Sequence, residues 1–353
     1  DGKKTVSILY APSPVDAAAA GNGARAAANL AIALRGDQAA ESLYVLPTEA
    51  NVNGARDMGV DPQRLPGRVA AERPGMDFAA MVDAAIDGRL KAMVVVGDNP
   101  LMFAPGKERV RRALESLELL IVVDSLMTET ARLAHVVLAD VPAYGKTGTF
   151  TNAERRVNRL HAAMDALGDA RPAQLALLDL AVAYAGSDVW TYAHPDAVTD
   201  EIAERVRGYE RYRASHTLWG KSRVFDLPST FERQTVTPVA EAVASGQLLL
   251  TTGRTLFTSL EGAAIRSADA DKLHREEFVE IHPRDAADLR VADEQEVTLV
   301  SEHGELTLRA KISGRVHEGV AFVPYYYDGG AAMALLGANG APVPVMVKVA
   351  ALA

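Results

Sequence analysis

The chain has 353 residues, which at roughly 150 per domain predicts two or three domains with sizeable cores. Hydrophobic residues make up 48% and charged residues 24%, which excludes a largely disordered chain. Lys plus Arg is 37 and Asp plus Glu is 46; the formal charge of −9 argues against nucleic acid as a partner and against a basic membrane-surface protein. No apolar run approaches the roughly 18 residues of a membrane span, so no direct membrane insertion is expected. Cysteine is absent, which removes disulfides, thiolate catalysis, Cys-ligated zinc and Cys-held iron–sulfur clusters from this chain. No signal peptide opens it, and Asp1 in place of Met suggests an excised portion of a longer protein.

The first part alternates strands and helices. Residues 6–10 read as a strand, and residues 16–34 as an Ala-rich helix ending near Gly36. Residues 43–46 read as a second strand stopped by Pro47. Residues 51–68 are polar and rich in Gly and Pro, and read as a long binding loop without a regular element. Phe78, Met81, Val82, Ala85 and Ile86 form one buried helical face, closed by Gly88. Strands follow at 93–96, 119–123 and 136–138, with helices at 107–116 and 128–133 between them. Strands separated by helices predict a doubly wound, mainly parallel sheet with ligands beyond the strands' carboxyl ends.

Residues 142–152 read as a loop. Residues 172–184 read as a helix, with Pro172 at its first position and Gly186 as its stop. Residues 199–213 read as a second, charged helix, and 220–246 as an irregular connector. The period then changes. Short strands at 248–252, 278–281, 296–301, 305–312 and 320–324, with a His303-Gly304 hairpin turn, predict an all-β unit closed as a barrel.

Several segments combine into a pattern. They are ANVNGARDMGV with DPQRLPG, then VVVGDNPL, VVDSLMTETARLAHVVLADVPAYGKTGTFTNAERRV, GDARP, LLTTGR, IHPRDAADLRV with VTLVSEHGEL, and GVAFVP. In this order, over about residues 5–350, the chain resembles the C-terminal half of the molybdopterin oxidoreductase superfamily. The resemblance implies a dinucleotide-binding-type α/β domain over 1–140, a connecting helical lobe over 141–244, and a double-psi type β-barrel over 245–353. In catalytic members the tails of a bis-guanine-dinucleotide cofactor lie between these parts. The iron–sulfur segment and the protein ligand to molybdenum would lie upstream of residue 1.

Two branches are similar to this chain. One is the catalytic subunit of formate dehydrogenase, toward which Glu154-Arg155-Arg156-Val157 leans. The other is the G-type subunit of bacterial NADH–quinone oxidoreductase (complex I), in which the cofactor is usually lost. Toward this second branch lean the histidine-free stretch Thr255 to Ala263, the Gly329 to Gly337 segment without an asparagine, and the tail Leu335 to Val349. This branch is the expected one. It implies a scaffolding part of a respiratory complex, no molybdenum cofactor in this chain, other subunits as partners, and a cytoplasmic place at the inner membrane held through them. The first branch instead implies bound molybdopterin guanine dinucleotide.

The candidate cofactor-binding positions, live or vestigial, are Gly97, Asn99, Asp124, Thr151, Asn152, Arg155, Gly253 and Arg254. Gly97 permits close backbone approach and Asn99 offers an amide to guanosine. Asp124 can accept two N–H bonds from a guanine edge, or simply cap the next helix. Arg155 matches phosphate bidentately, or pairs with a nearby carboxylate. Gly253-Arg254 can hold a pyrophosphate, or form an ordinary turn. The eight histidines show no metal-ligand spacing and read as surface or locally bonded. Tyr325-Tyr326-Tyr327 reads as packing or a subunit contact. No hydrolase elbow, phosphate-binding Walker loop or Gly-x-Gly-x-x-Gly signature occurs.

Overall fold

A computed structural model describes residues 6–12, 17–186, 192, 194–215, 224, 230–237, 243–253, 278–324 and 330–349. In chain order the first elements are β1 (Ile8–Tyr10), α1 (Ala17–Arg35), α2 (Ala39–Ser42), β2 (Leu43–Val45) and α3 (Val52–Asp57). Next come β3 (Arg64–Leu65), β4 (Val69–Ala70), α4 (Phe78–Ile86), β5 (Ala92–Val96), α5 (Pro100–Phe103), α6 (Lys107–Glu115), β6 (Leu119–Asp124), α7 (Glu129–Leu133) and β7 (Val136–Ala139). The middle holds β8 (Gly148–Thr151), β9 (Val157–Leu160), α8 (Ala173–Ala185) and α9 (Pro195–Arg205). The last part holds β10 (Gln247–Gly253), β11 (Phe278–Ile281), α10 (Pro283–Leu289), β12 (Glu296–Val300), β13 (Glu305–Ile312), β14 (Val320–Pro324) and β15 (Val343–Val349).

The strands β5, β6 and β7 form a parallel sheet in that order. The central strand β6 is apolar on both faces, and the alternation along it assigns each side chain to a layer. Leu120 and Val122 pack with Val82 and Ala85 of α4 and with Val110, Ala113 and Leu114 of α6. Val123 packs on the opposite side with Ala173 and Ala176 of α8. The central strand is thus covered on both faces, as the doubly wound reading expects, while Val94 and Val96 of β5 and Val136 and Val137 of β7 remain exposed. One correction concerns its extent. The pair β1–β2 is parallel but forms a separate two-stranded sheet, so the described strands of the first part do not join into one.

The barrel is closed, with spatial order β10-β14-β11-β13-β12-β15. Two neighbouring pairs, β10–β14 and β11–β13, are parallel and the rest antiparallel. Parallel neighbours need crossover connections, which an up-and-down barrel lacks and a double-psi type requires. Every second residue points inward: Leu248 and Leu250, Val279 and Ile281, Val297 and Leu299, Leu308 and Ala310, Ala321 and Val323, Val343 and Val345 all belong to one core. The hairpin turn at His303-Gly304 is present.

The sequence reading missed the closing strand β15, where Pro342 and Pro344 interrupt the pattern, and the helix α10. Three further expectations are corrected. The charged helix is α9, ending at Arg205 rather than 213, after which the chain turns through Tyr209 and Tyr212. Residues 148–151 are not loop but pair antiparallel with β9. Pro172 stands just before α8 as its cap, not as its first residue. The Thr255–Ala263 stretch, Arg254 and Tyr325 to Tyr327 lie outside the described residues.

The barrel docks on the α/β part through a short 3₁₀ turn, Ala331–Leu335. Its Met333 carbonyl accepts a hydrogen bond from Gly106 N at 3.0 Å, and Phe103 packs against the barrel core. Gly330 sits at φ +73, and a Cβ there would lie 1.8 Å from the Met102 carbonyl oxygen. Backbone meets backbone, so neither side can yield. Gly330→Ala is therefore expected to cost about 2–4 kcal/mol in urea unfolding. Gly337→Ala, whose Cβ would meet only the movable His303 ring, should cost far less.

Candidate functional site

Two groups of candidate residues emerge. The first lies at the carboxyl ends of the parallel strands. Gly97 follows β5 at φ +60 and donates from its N–H to the Val123 carbonyl at 2.8 Å, prolonging the sheet by one bond. Asn99 is buried, and its Oδ1 accepts from the Thr130 hydroxyl at 2.7 Å and from Thr130 N at 3.3 Å. The same hydroxyl accepts from Leu101 N at 3.3 Å. Thr130 thus orients Asn99 and leaves its amide nitrogen as the group to offer a ligand.

Asp124 ends β6, and its Oδ1 accepts from Leu126 N at 2.9 Å in a tight turn. The expected helix-capping role falls to Thr128, whose hydroxyl accepts from Ala131 N at 3.1 Å. Asp140, just beyond β7, is buried; it accepts from Lys146 Nζ at 2.5 Å and from Ala173 N at 2.8 Å, holding the start of α8.

Asp98 follows Gly97 at the carboxyl end of β5, and its Oδ1 accepts from Asn99 N at 2.8 Å. Desolvation there raises its carboxyl above the ordinary value, and Asp124 and Glu49 push in the same direction. Asp124 is raised too, first by desolvation and then by Asp140, with Lys146 opposing. Glu49, Asp98, Asp124 and Asp140, in the loops after β2, β5, β6 and β7, thus lie close enough to act on one another electrostatically. Such carboxylates accept hydrogen bonds from a ligand rich in N–H donors.

The second group is built around Asp57, which the sequence reading did not single out. The segment expected to be a loop contains α3, and Asp57 at its end is fully buried. Arg155 Nη2 donates to both of its oxygens at 3.0 and 2.9 Å, and Arg68 Nε donates at 2.5 Å. Tyr209 donates to Oδ2 at 2.8 Å. Burial, reinforced by Asp57, raises the Tyr209 hydroxyl well above its usual range, so it remains a donor. Its oxygen accepts from the buried Thr151 hydroxyl at 2.8 Å.

Asn51 and Asn53 complete the seam. Asn51 Oδ1 accepts from Thr151 N at 2.9 Å, and Asn53 Nδ2 donates to the Asn152 carbonyl at 3.0 Å. Asn152 Oδ1 accepts from Arg156 N at 2.9 Å and shapes the hairpin tip, where Arg155 takes φ +65. Thr151, Asn152 and Arg155 are thus brought together, with their side chains engaged internally. Gly253 is far along the chain at the end of β10, opposite Pro324. Nothing in the sequence marks Asp57 as buried.

Among the described residues no three His, Asp or Glu side chains converge as a metal centre. Three histidines bond locally, with Nδ1 of His135, His194 and His282 accepting from backbone N–H groups. Among the described residues, no helix is long and apolar enough to cross a membrane.

Two family models match the chain. Residues 4–179 match "Molybdopterin oxidoreductase" and residues 248–351 match "Molydopterin dinucleotide binding domain". The chain belongs to the molybdopterin oxidoreductase family. Within that family it is 32% identical over 366 residues to the NADPH-Fe(3+) oxidoreductase subunit alpha of Geobacter sulfurreducens, covering 98% of this chain and 42% of the relative. It is 30% identical to the F420-dependent formate dehydrogenase 1 subunit alpha of Methanococcus maripaludis, covering 91% of this chain and 53% of the relative. It is also 30% identical to the G 2 subunit of the NADH-quinone oxidoreductase of Rhizobium meliloti, covering 87% and 38%. The chain therefore spans about half or less of the length of these relatives. Acetylene hydratase from Pelobacter acetylenicus shares the fold, with a TM-score of 0.62 at 14% identity over 85% of this chain and 51% of that one.

Two expectations follow. Asp57→Asn leaves Arg155 without its buried anion and should cost about 3–5 kcal/mol in urea unfolding, against about 1–2 kcal/mol for Tyr209→Phe. The pH dependence of Asp98 runs opposite to that of a salt-bridged carboxylate. Because its folded-state value is raised, its stabilising contribution is complete below the unfolded carboxylate value and is lost as pH rises through the raised one. Asp98→Asn should therefore melt above the parent at neutral pH, with the difference shrinking on acidification.

Proposed function

We propose that this chain is the C-terminal, scaffolding portion of a G-type subunit of an NADH–quinone oxidoreductase. It carries interfaces for partner subunits of a respiratory complex and does not itself perform chemistry. One observation supports this reading above others: the candidate side chains of the connecting lobe, Thr151, Asn152 and Arg155, are engaged within the fold. Arg155 meets Asp57, Thr151 meets Tyr209, and Asn152 holds the hairpin tip. Within the Gly329 to Gly337 segment, expected to lack ligand donors, the turn Ala331–Leu335 joins the barrel to the α/β part.

A second reading rests on the residues at the carboxyl ends of β5 and β6. Asp98, Asp124 and the Asn99 amide remain available there. They fit the guanine end of a dinucleotide cofactor, which presents N–H donors to carboxylates and an oxygen acceptor to the amide. In this reading the chain is part of a molybdenum or tungsten oxidoreductase such as a formate dehydrogenase. The bound group would supply the redox chemistry, and these residues would hold its tail. Relatives at 30% identity come from both branches.

Elemental analysis for Mo and W, with fluorescence of the oxidised pterin after acid release, separates the two in the protein purified with its native partners. The scaffolding reading expects neither metal nor pterin. Near-stoichiometric metal with pterin overturns it; Asp124→Ala should then lower the pterin content severalfold, and an unchanged content would exclude these strand ends as its site.

A further inference from the structure

Three Asn-Gly pairs occur in the chain, Asn22-Gly23, Asn53-Gly54 and Asn339-Gly340. Such a pair is chemically exposed, because no Cβ shields the glycine nitrogen from the amide carbon of the preceding side chain. The fold treats the three pairs differently. Asn22 lies in α1 and Asn53 in α3. There the helix fixes ψ and keeps the next backbone nitrogen from swinging onto the side chain. Both amides are also held: Asn22 Nδ2 donates to the Thr237 carbonyl at 2.8 Å, and Asn53 Nδ2 to the Asn152 carbonyl at 3.0 Å.

Asn339 stands instead in the turn 337–340, where it and Ala338 are exposed. The turn is closed by the bond from Gly340 N to the Gly337 carbonyl at 2.9 Å. An exposed turn opens at far lower cost than a helix, and its opening frees the Gly340 nitrogen. Asn339 Oδ1 accepts from Ala341 N at 3.1 Å. That donor polarises the side-chain carbonyl and stabilises the negative charge that attack at Cγ places on its oxygen. Among the described residues nothing accepts from Asn339 Nδ2, so the leaving group is unrestrained.

The turn also lies against the joint between barrel and α/β part. It follows the 3₁₀ turn whose Met333 carbonyl accepts from Gly106 N. Ala338 backs Gly106 itself: a Cβ on Gly106 would lie 3.8 Å from the Ala338 Cα and N. Gly106 in turn is the N-cap of α6.

We propose that Asn339 is a site of spontaneous deamidation, and that its product loosens the seat of the barrel. The Gly340 nitrogen gives its proton to solvent and bonds to Asn339 Cγ. The bond from Cγ to Nδ2 breaks, and Nδ2 takes up a proton and leaves as ammonia. The resulting succinimide then adds water at either carbonyl carbon. One opening gives aspartate. The other gives isoaspartate, whose main chain runs through Cβ and Cγ and is longer by one carbon. The net reaction consumes one water and releases one ammonia. The first product puts a charge beside the joint, and the second lengthens the turn that backs Gly106.

The test ages the folded chain at mildly alkaline pH and follows the tryptic peptides 5–25, 36–56 and 316–348, each of which carries one pair. Peptide 316–348 should gain the mass of an amide turned acid severalfold faster than the other two, and a methyltransferase that labels isoaspartate should mark it. In urea, where the helices are gone, the three peptides should gain mass at similar rates. Equal rates in the folded chain, or a lag of 316–348 behind either of the others, overturn the site. A difference that persists in urea overturns protection by the fold as its cause. Aged wild-type protein should melt several degrees below fresh protein, whereas aged Asn339→Gln, whose longer side chain closes a ring far more slowly, should melt as it did when fresh. An unchanged melting temperature in aged, modified wild-type protein overturns the loosened joint, and that comparison stands without the variant.

Discussion

The buried carboxylate of Asp57 is the constraint around which the middle of the molecule is arranged. A fully desolvated charge is tolerated only if its oxygens are saturated and its charge is met. Arg155, Arg68 and Tyr209 do this from three separate stretches of chain. The same bonds that satisfy the carboxylate tie α3 to the β8–β9 hairpin and to the turn after α9. A polar, glycine-rich segment becomes a helix because its end is locked in this way. The hairpin tip, where Arg155 takes φ +65, is tied to α3 by the same bonds.

That arrangement sorts the polar residues by use. Side chains near Asp57 are consumed by the fold, whereas at the ends of the β5–β7 sheet Asp98 stays exposed and Asp124 half-buried. The difference is geometric. Parallel strands end together, so their following loops meet at one edge of the sheet. Desolvation raises the Asp98 and Asp124 carboxyls above the ordinary value there. The barrel is seated beside this sheet by a joint with no spare room, where Gly330 passes the Met102 carbonyl.

Much of the architecture was legible in the residue pattern. The strands at β5, β6, β11, β13 and β14 and the helices α4 and α6 follow directly from alternation and from the 3.6-residue period. β15 was not legible, because two prolines mask its alternation. α3 was hidden because its helical state derives from a tertiary ion pair and not from propensity. The candidate site divides in the same way: Gly97, Asn99 and Asp124 follow from their places after strands, while Thr130, which orients Asn99 from 31 residues away, has no local signal.

Taken alone, the chain determined its class: two-faced parallel strands, an alternating barrel, an acidic surface and no cysteine chemistry. These depend on periodicity and composition, which are local properties. Only the tertiary structure decided which polar residues are spent and which are free. Whether an arginine meets a ligand or a buried aspartate depends on which distant segment is folded against it, and no spacing along the chain encodes that distance.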